Sequence, residues 1–475
     1  MESKKADILA TFPMVDESAV DALLAAEIAA NDAKIVVLDD DPTGVQTVHD
    51  ISVYTDGSLE SIREGFAEAN KVFYILTNSR GMTMSETAAL HKEIGANITM
   101  VAHETGKKYL IMSRSDSTLR GHYPLEPRLL KETMEADGFH VDGEILCPFF
   151  LEGGRFTIDN IHYVQQGDSL IPAAQTEFAK DKTFGYSHSS IPEYIEEKTG
   201  GEYRAKDVTC IALDTLRATD YDKIERQLMG VENFNKVCVN AVDYCDIKVF
   251  SVALYRAMAK GKNFMFRTAA GLVKVMGGIL DIPLLTRKEM VVHETSHGGI
   301  VVVGSHTQKT TAQLQKLLTL ENVVPVEFDS NKVLDGDEEF YAEVDRCVAR
   351  EEEIIRSGKT AVCFTCRKLL TLENDTKETA LTRSVKISDG VQKLVGQLKV
   401  TPAFVIAKGG ITSSDVGTKA LRVHRANVMG QICPGIPVWQ TGSESRFPQT
   451  PYVIFPGNTG NEQTLREAVE ILTNL

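Results

Sequence analysis

The sequence predicts an α/β protein of two domains, each a mainly parallel sheet flanked by helices. Three observations carry this. Short β-branched apolar runs alternate with helix-period segments almost throughout, as in strand–helix–strand units. The chain's 475 residues suffice for two or three domains whose cores need no disulfide or structural metal. The composition, 43% hydrophobic and 25% charged, is that of an ordinary globular protein.

The elements follow in order. A helix is expected from Ser18, with Val20, Leu24 and Ile28 on one face, so residues 1–33 read as an N-terminal helical extension. Strand-like runs then fall at Ile35–Leu38, Ile51–Tyr54, Val72–Thr77, Tyr109–Met112, Glu144–Phe149, Val208–Leu213 and Lys236–Val242. They define a first domain over residues 34–285. Glu152–Gly201 is poor in strand signals and reads as a long substrate loop. The paired glycines and proline after Gly271 read as a connection. A second series, Ile300–Gly304, Val323–Phe328, Thr360–Thr365, Ala403–Ala407, Ile436–Trp439 and Tyr452–Phe455, defines a second domain over residues 295–475. Within it, Arg350–Arg356 reads as a solvated helix face.

Charge limits the partners. With 51 Lys+Arg against 66 Asp+Glu, the formal net charge is −15, which repels nucleic acids and anionic membranes but not a small anion held by a few arginines. No apolar run is long enough to span a bilayer and no signal peptide opens the chain, so the cytoplasm is the expected location. Whether the chain is a homo-oligomer is left open. The pair Cys363–Cys366 lacks the second pair of a zinc site and reads as small core residues.

Two motif-like strings fail on context. His293–His297 matches HExxH, but the glycines and β-branched run that follow leave no room for the helix that would align two zinc ligands. Ser357–Thr360 resembles the end of a phosphate loop, yet it precedes a strand and lacks the upstream glycine.

Four stretches carry chemistry. In IVVLDDDPTGVQT a strand ends in Asp39, Asp40 and Asp41, where open α/β sheets gather ligands and where adjacent acids serve as base or hydroxyl acceptor. In SRSDSTLRG, Arg114 and Arg120 flank Asp116, Ser117 and Thr118, a set suited to gripping a carboxylate and reading hydroxyls. Arg155 follows Gly153-Gly154, which permit close ligand approach. In the second domain, Gly304-Ser305, then Lys408-Gly409-Gly410-Ile411-Thr412, then Pro456-Gly457-Asn458 each follow a strand and precede a helix. Three such turns can cradle a nucleotide's phosphates without a Walker loop.

Together DDxTG at Asp40–Gly44, DSTLRG at Asp116–Gly121, the GR at Gly154–Arg155, and then VGS, KGGxTS and PGN resemble the four-carbon acid sugar kinases, from about residue 34 to the C-terminus. The resemblance implies ATP- and Mg²⁺-dependent phosphorylation of a small sugar acid: a threonate, erythronate or 3-oxo-tetronate. It implies ATP contacts at Ser305, Gly409–Thr412 and Gly457, with Lys408 and Asn458 in the same turns. Asp40, Asp41, Arg114, Asp116, Arg120 and Arg155 would line the acid pocket, with Asp41 or Asp40 as catalytic base. Arg114 stands where family members commonly carry lysine. The competing reading is a sensor that binds acid and nucleotide but transfers nothing.

Overall fold

The computed structural model describes residues 2–368, 370–372, 375–457 and 459–474. The chain divides into two compact units, Met1–Gly44 with Asp56–Asp281, and Val45–Thr55 with Ile282–Leu475. Both are α/β, with large, mainly parallel sheets flanked by helices.

The first unit is built on seven parallel strands. In sheet order they are Thr209–Ile211, Asn235–Val239, Gly143–Cys147, Phe264–Thr268, Tyr109–Arg114, Lys34–Asp39 and Val72–Leu76. Every residue of Lys34–Asp39 is buried, as expected of a parallel strand covered on both faces. From this strand the chain passes to Val72–Leu76 on one side and then to Tyr109–Arg114 on the other. The reversal of direction leaves a crevice beyond the carboxyl ends of Lys34–Asp39 and Tyr109–Arg114, where such sheets bind ligands.

The first helix, Glu17–Ala30, is capped by the Asp16 carboxylate and buries Val20 and Leu24. It is fastened to Tyr244–Ala259 by Glu27–Arg256 (2.8 Å) and Asp21–Lys248 (2.7 Å) ion pairs. Two first-unit features differ from the sequence expectation. The region Glu152–Gly201 is not a loop. It forms the antiparallel strands Arg155–Ile158, Ile161–Gln166 and Ser169–Pro172, joined at one edge by Lys4–Lys5, and a helix Ile191–Lys198. The strand Phe264–Thr268 has no counterpart among the expected runs.

The second unit has five parallel strands, ordered Pro451–Phe455, Val405–Lys408, Ile300–Val303, Thr360–Thr365 and Val323–Phe328. Beyond Pro451–Phe455 run three antiparallel strands, Ile436–Thr441, Arg425–Cys433 and Ile51–Tyr54. The expected first domain included Ile51–Tyr54; the structure pairs it with Arg425–Val428 instead. Arg425–Cys433 was not among the expected runs. The direction of this sheet reverses between Ile300–Val303 and Val405–Lys408, which places a second crevice at Gly304 and Gly409. Around His293–His297 the chain is irregular and mostly exposed. Arg350–Arg356 is only partly a solvated face: it lies in the helix Asp337–Arg356, where Glu351 is fully buried.

Candidate functional site

At the first unit's crevice the three aspartates do different things. Asp39, 1% exposed, receives Arg114 Nη1 at 3.1 Å. Burial pushes its carboxyl up to about 7, against the pull of Arg114. Asp40, 3% exposed, is held on both oxygens. Its Oδ1 accepts from Arg80 Nη2 (2.6 Å), and its Oδ2 from Ser115 Oγ (3.1 Å) and Arg80 Nε (3.3 Å). Asp41 is the most open of the three. Its Oδ1 accepts from the backbone N–H (2.8 Å) and hydroxyl (2.6 Å) of Thr43, while Oδ2 accepts from Arg80 Nη1 at 3.3 Å. Burial would raise this carboxyl, but Arg80 and the Thr43 bonds outweigh it and hold it below the usual carboxylate range.

Gly44 is required here by space. A Cβ at this position would lie 1.9 Å from Asp39 Oδ2, so the glycine of DDxTG lets the turn close over the aspartates. Arg114, expected to grip the substrate, is 4% exposed and committed to Asp39 and Asp40 (3.1 and 3.6 Å). It neutralises the acids from beneath. Arg80, absent from the sequence reading, provides the central cation.

The stretch Ser115–Gly121 is held by side chains from the region expected to be a loop. His162 Nε2 bonds the Ser117 carbonyl (2.7 Å), Tyr186 OH donates to Thr118 O (2.7 Å), and Tyr194 OH donates to Leu119 O (2.9 Å). Leu119 adopts a positive φ of 68°. At Gly121, φ is 114° and a Cβ would meet Arg267 Nη2 at 2.7 Å. Arg267 donates Nη2 to Arg120 O (3.0 Å) and Nη1 to the buried Glu126 (2.7 Å), forming a strut that the sequence reading also missed. Asp116 accepts from Thr118 Oγ1 and from Arg120 Nε (2.7 Å). Burial would raise its carboxyl, but Arg120 and Arg80 hold it far below the ordinary value. Ser117 is 7% exposed.

Arg120 is 22% exposed and Arg155 is partly buried. Arg155 Nη1 contacts the Gly153 carbonyl, and its buried Nε has no hydrogen-bond partner. Among the described residues Arg155 makes no ion pair. The structure thus brings Asp40, Asp41, Arg114, Asp116 and Arg120 together around Arg80, with Arg155 reached through the neighbours it shares with Arg120.

In the second unit, three expected turns converge. A Cβ on Gly304 would come within 2.3 Å of Thr412 Oγ1, and Gly409 adopts φ +116° with Ser305 Cβ 3.3 Å from its own would-be Cβ. Both glycines therefore let the turns after Ile300–Val303 and Val405–Lys408 touch. Thr310 Oγ1 bonds Ser305 Oγ (3.2 Å) and Gly457 O (3.4 Å), which draws in the third turn. Gly410 opens the helix Gly410–Asp415, Ile411 is 72% exposed, and Thr412 is buried.

Lys408 differs from expectation. It is fully buried, and its Nζ donates to Pro456 O (2.6 Å) and Gly457 O (3.3 Å), so its side chain braces the third turn and does not project toward a phosphate. Burial, then nearby Lys309, pushes its amine down to about 7. Arg367 is a cation here that the sequence reading missed. Its Nη2 donates to Ser305 O (2.5 Å) and Thr311 Oγ1 (3.0 Å), and it makes no ion pair among the described residues. Asn458 lies outside the described residues.

Comparisons with known proteins match the chain in two stretches. Residues 35–276 match the sugar-binding N-terminal domain, and residues 300–465 match the nucleotide-binding C-terminal domain. The chain belongs to the family that these two domains define, the four-carbon acid sugar kinase family. Two solved structures share the fold. One is a Salmonella typhimurium LT2 protein carrying a provisional tRNA synthase name, at 16% identity and TM-score 0.66, over 92% of this chain and 98% of that one. The other is Haemophilus influenzae protein HI1011, at 15% identity and TM-score 0.59, over 92% and 100%. No curated protein sequence matches the chain significantly. No helix among the described residues is long and apolar enough to cross a membrane.

Proposed function

We propose that the chain is a cytoplasmic ATP-dependent kinase that phosphorylates a hydroxyl of a short sugar acid of the threonate, erythronate or 3-oxo-tetronate class. The observation that carries this reading is the arrangement at the first unit's crevice. There an ionised, partly open carboxylate, Asp41, stands beside a guanidinium, Arg80, and a loop rich in hydroxyls and arginines. Phosphoryl transfer needs a positioned hydroxyl and neutralised phosphate charge more than covalent help from the protein. Asp41 Oδ2 would accept the hydroxyl's hydrogen bond, orient it for in-line attack and take its proton. Asp40, almost fully buried, would set Arg80 and leave the base role to the more open Asp41. Arg120 and Arg155 would hold the substrate carboxylate, while Asp116 and Ser117 would shape the loop around its hydroxyls.

Mg²⁺, which this reading implies, would supply neutralising charge to the phosphates of ATP. In this reading the protein's part is to hold the phosphates. Ser305, the backbone of Gly409–Thr412 and Gly457 would do this, helped by Arg367 and braced by Lys408.

The test is to mix protein and MgATP with a panel of four-carbon acids and follow ADP. Acid-dependent ADP formation is expected. ADP release that ignores the acid would refute the reading, and binding of both ligands without ADP would identify a sensor.

A further inference from the structure

The guanidinium carbons of Arg120 and Arg155 lie 5.0 and 5.6 Å from the centre of one ring, that of Phe178. Two cations packed against one aromatic ring are attracted to it but repel each other. Arg120 is balanced by Asp116 at 2.7 Å and, more distantly, by Asp181 at 3.9 Å. Arg155 has no such partner among the described residues, and its Nε is buried without a hydrogen bond. Burial, and then Arg120, depress the Arg155 guanidinium from its ordinary value, while Asp116 and Tyr186 act the other way. A desolvated, unbalanced cation is costly, and an anion bridging it to Arg120 would relieve both the desolvation and the repulsion.

We propose that Phe178 is a positioning residue for the substrate's carboxylate: its ring holds Arg120 and Arg155 at the spacing of one shared anion grip. This rests on the sugar-acid reading above, and it extends that reading to what selects an acid over a neutral sugar alcohol.

The ring is delivered by a fixed element. Phe178 sits in the short 3₁₀ helix Glu177–Lys180. On one side the segment is tied by Ala174 N–H to Ser189 Oγ (2.8 Å) and by Thr176 Oγ1 to Ala173 O (2.6 Å). On the other, Asp181 Oδ1 accepts from the N–H groups of Thr183 and Phe184 (2.8 and 3.0 Å), and Tyr186 N–H donates to Ala179 O (3.1 Å). The Phe184 ring meets His122 edge-on at 4.8 Å. The platform is thus fastened at both ends by bonds that involve neither arginine, so the ring can set the guanidiniums.

Calorimetric titration of the full chain with erythronate and threonate, without nucleotide, tests this in wild type, Phe178→Leu and Phe178→Tyr. Leucine keeps bulk but lacks the ring's negative face, so the acid's Kd should rise by about five- to thirty-fold, the loss of two cation–π contacts. Phe178→Tyr should bind the acids as wild type does, and the affinity for erythritol, which has no carboxylate, should be unaffected in either variant. The proposal is overturned if Phe178→Leu binds the acids normally, if it loses acid and polyol alike, if tyrosine fails to rescue, or if wild type binds neither acid. Its failure is separable from that of the kinase reading. Acid binding that responds to Phe178 without any ADP formation leaves this proposal standing and removes the kinase. Acid-dependent ADP formation with an unchanged acid KM in Phe178→Leu does the reverse.

Discussion

Asp40 and Asp41 are adjacent in sequence and differ in exposure, their side chains being 2% and 15% open. Asp41→Asn keeps the shape and the Thr43 contacts but removes the acceptor charge. The expected loss in kcat is on the order of 10²–10⁴-fold, the usual yield of a positioned acid–base group, with acid KM changed far less. Asp40→Asn instead strands Arg80 half-neutralised at a nearly buried site. Breaking a buried pair in this way costs roughly 3–5 kcal/mol and should appear first as a lower Tm. Equal losses of kcat with equal Tm in the two variants would contradict this division of roles. The aspartates, Arg114 and the glycine turns were legible in the sequence because each closes an apolar run, where a strand end meets a ligand crevice. The commitment of Arg114 to Asp39 was not, because nothing in the local pattern says which acid a strand-end arginine faces. Arg80 lies four residues past the end of Val72–Leu76, and the strand-end rule applied to that run would have pointed to it. Arg267 and Glu126 carry no local signal; only the fold brings them together.

At the scale of elements, the antiparallel strands of the first unit exist to present His162, while the segments that follow them present Tyr186 and Tyr194 to the carbonyls of Ser117, Thr118 and Leu119. These strands escaped notice because they are short and polar on one side. Their one strong cue is the Asp159-Asn160 turn, where both residues take positive φ (52° and 65°), the pairing a tight hairpin favours. Tyr194→Phe deletes one buried hydrogen bond, so stability should drop by about 1 kcal/mol. Acid KM should rise while kcat holds, a split that steady-state kinetics resolves. The clamp also makes the loop acid-sensitive. Burial, the largest influence, depresses His162 from 6.5 to about 4, so the folded chain binds fewer protons than the unfolded one between those values. Stability from this group is complete above pH 6.5 and is lost as pH falls toward 4, by about 3 kcal/mol in total. His162→Gln should flatten that part of the pH–stability curve, and an identical slope in the two proteins would rule the assignment out.

At the scale of the whole molecule, the parallel sheets and their two crevices followed from the alternation of strands and helices, but the path of the chain did not. Ile51–Tyr54 sits in sequence between strands of the first unit yet pairs antiparallel with Arg425–Val428, nearly the length of the chain away. Local periodicity carries no information about so distant a partner. The same limit hid the burial of Glu351, which reads as one acid in a charged run but sits at 0% exposure against the second unit's sheet, beside Cys363. Burial raises its carboxyl from 4.5 to about 8. The folded unit therefore keeps a proton that the unfolded chain has released, so this group's contribution is fully present below pH 4.5 and disappears as pH rises through 8. Glu351→Gln, which stays neutral at every pH with the same outline, should match wild type in mild acid and exceed its stability near pH 9 by roughly 3–5 kcal/mol. Nucleotide at a hundredfold its Kd should add about 2.7 kcal/mol to either protein, because the bound state is the folded second unit in both. Denaturant unfolding across pH 5–9 with and without ATP measures both effects. Parallel pH curves for wild type and Glu351→Gln would show that the carboxyl finds water or a partner in solution, and would remove the second unit's alkaline sensitivity from the account.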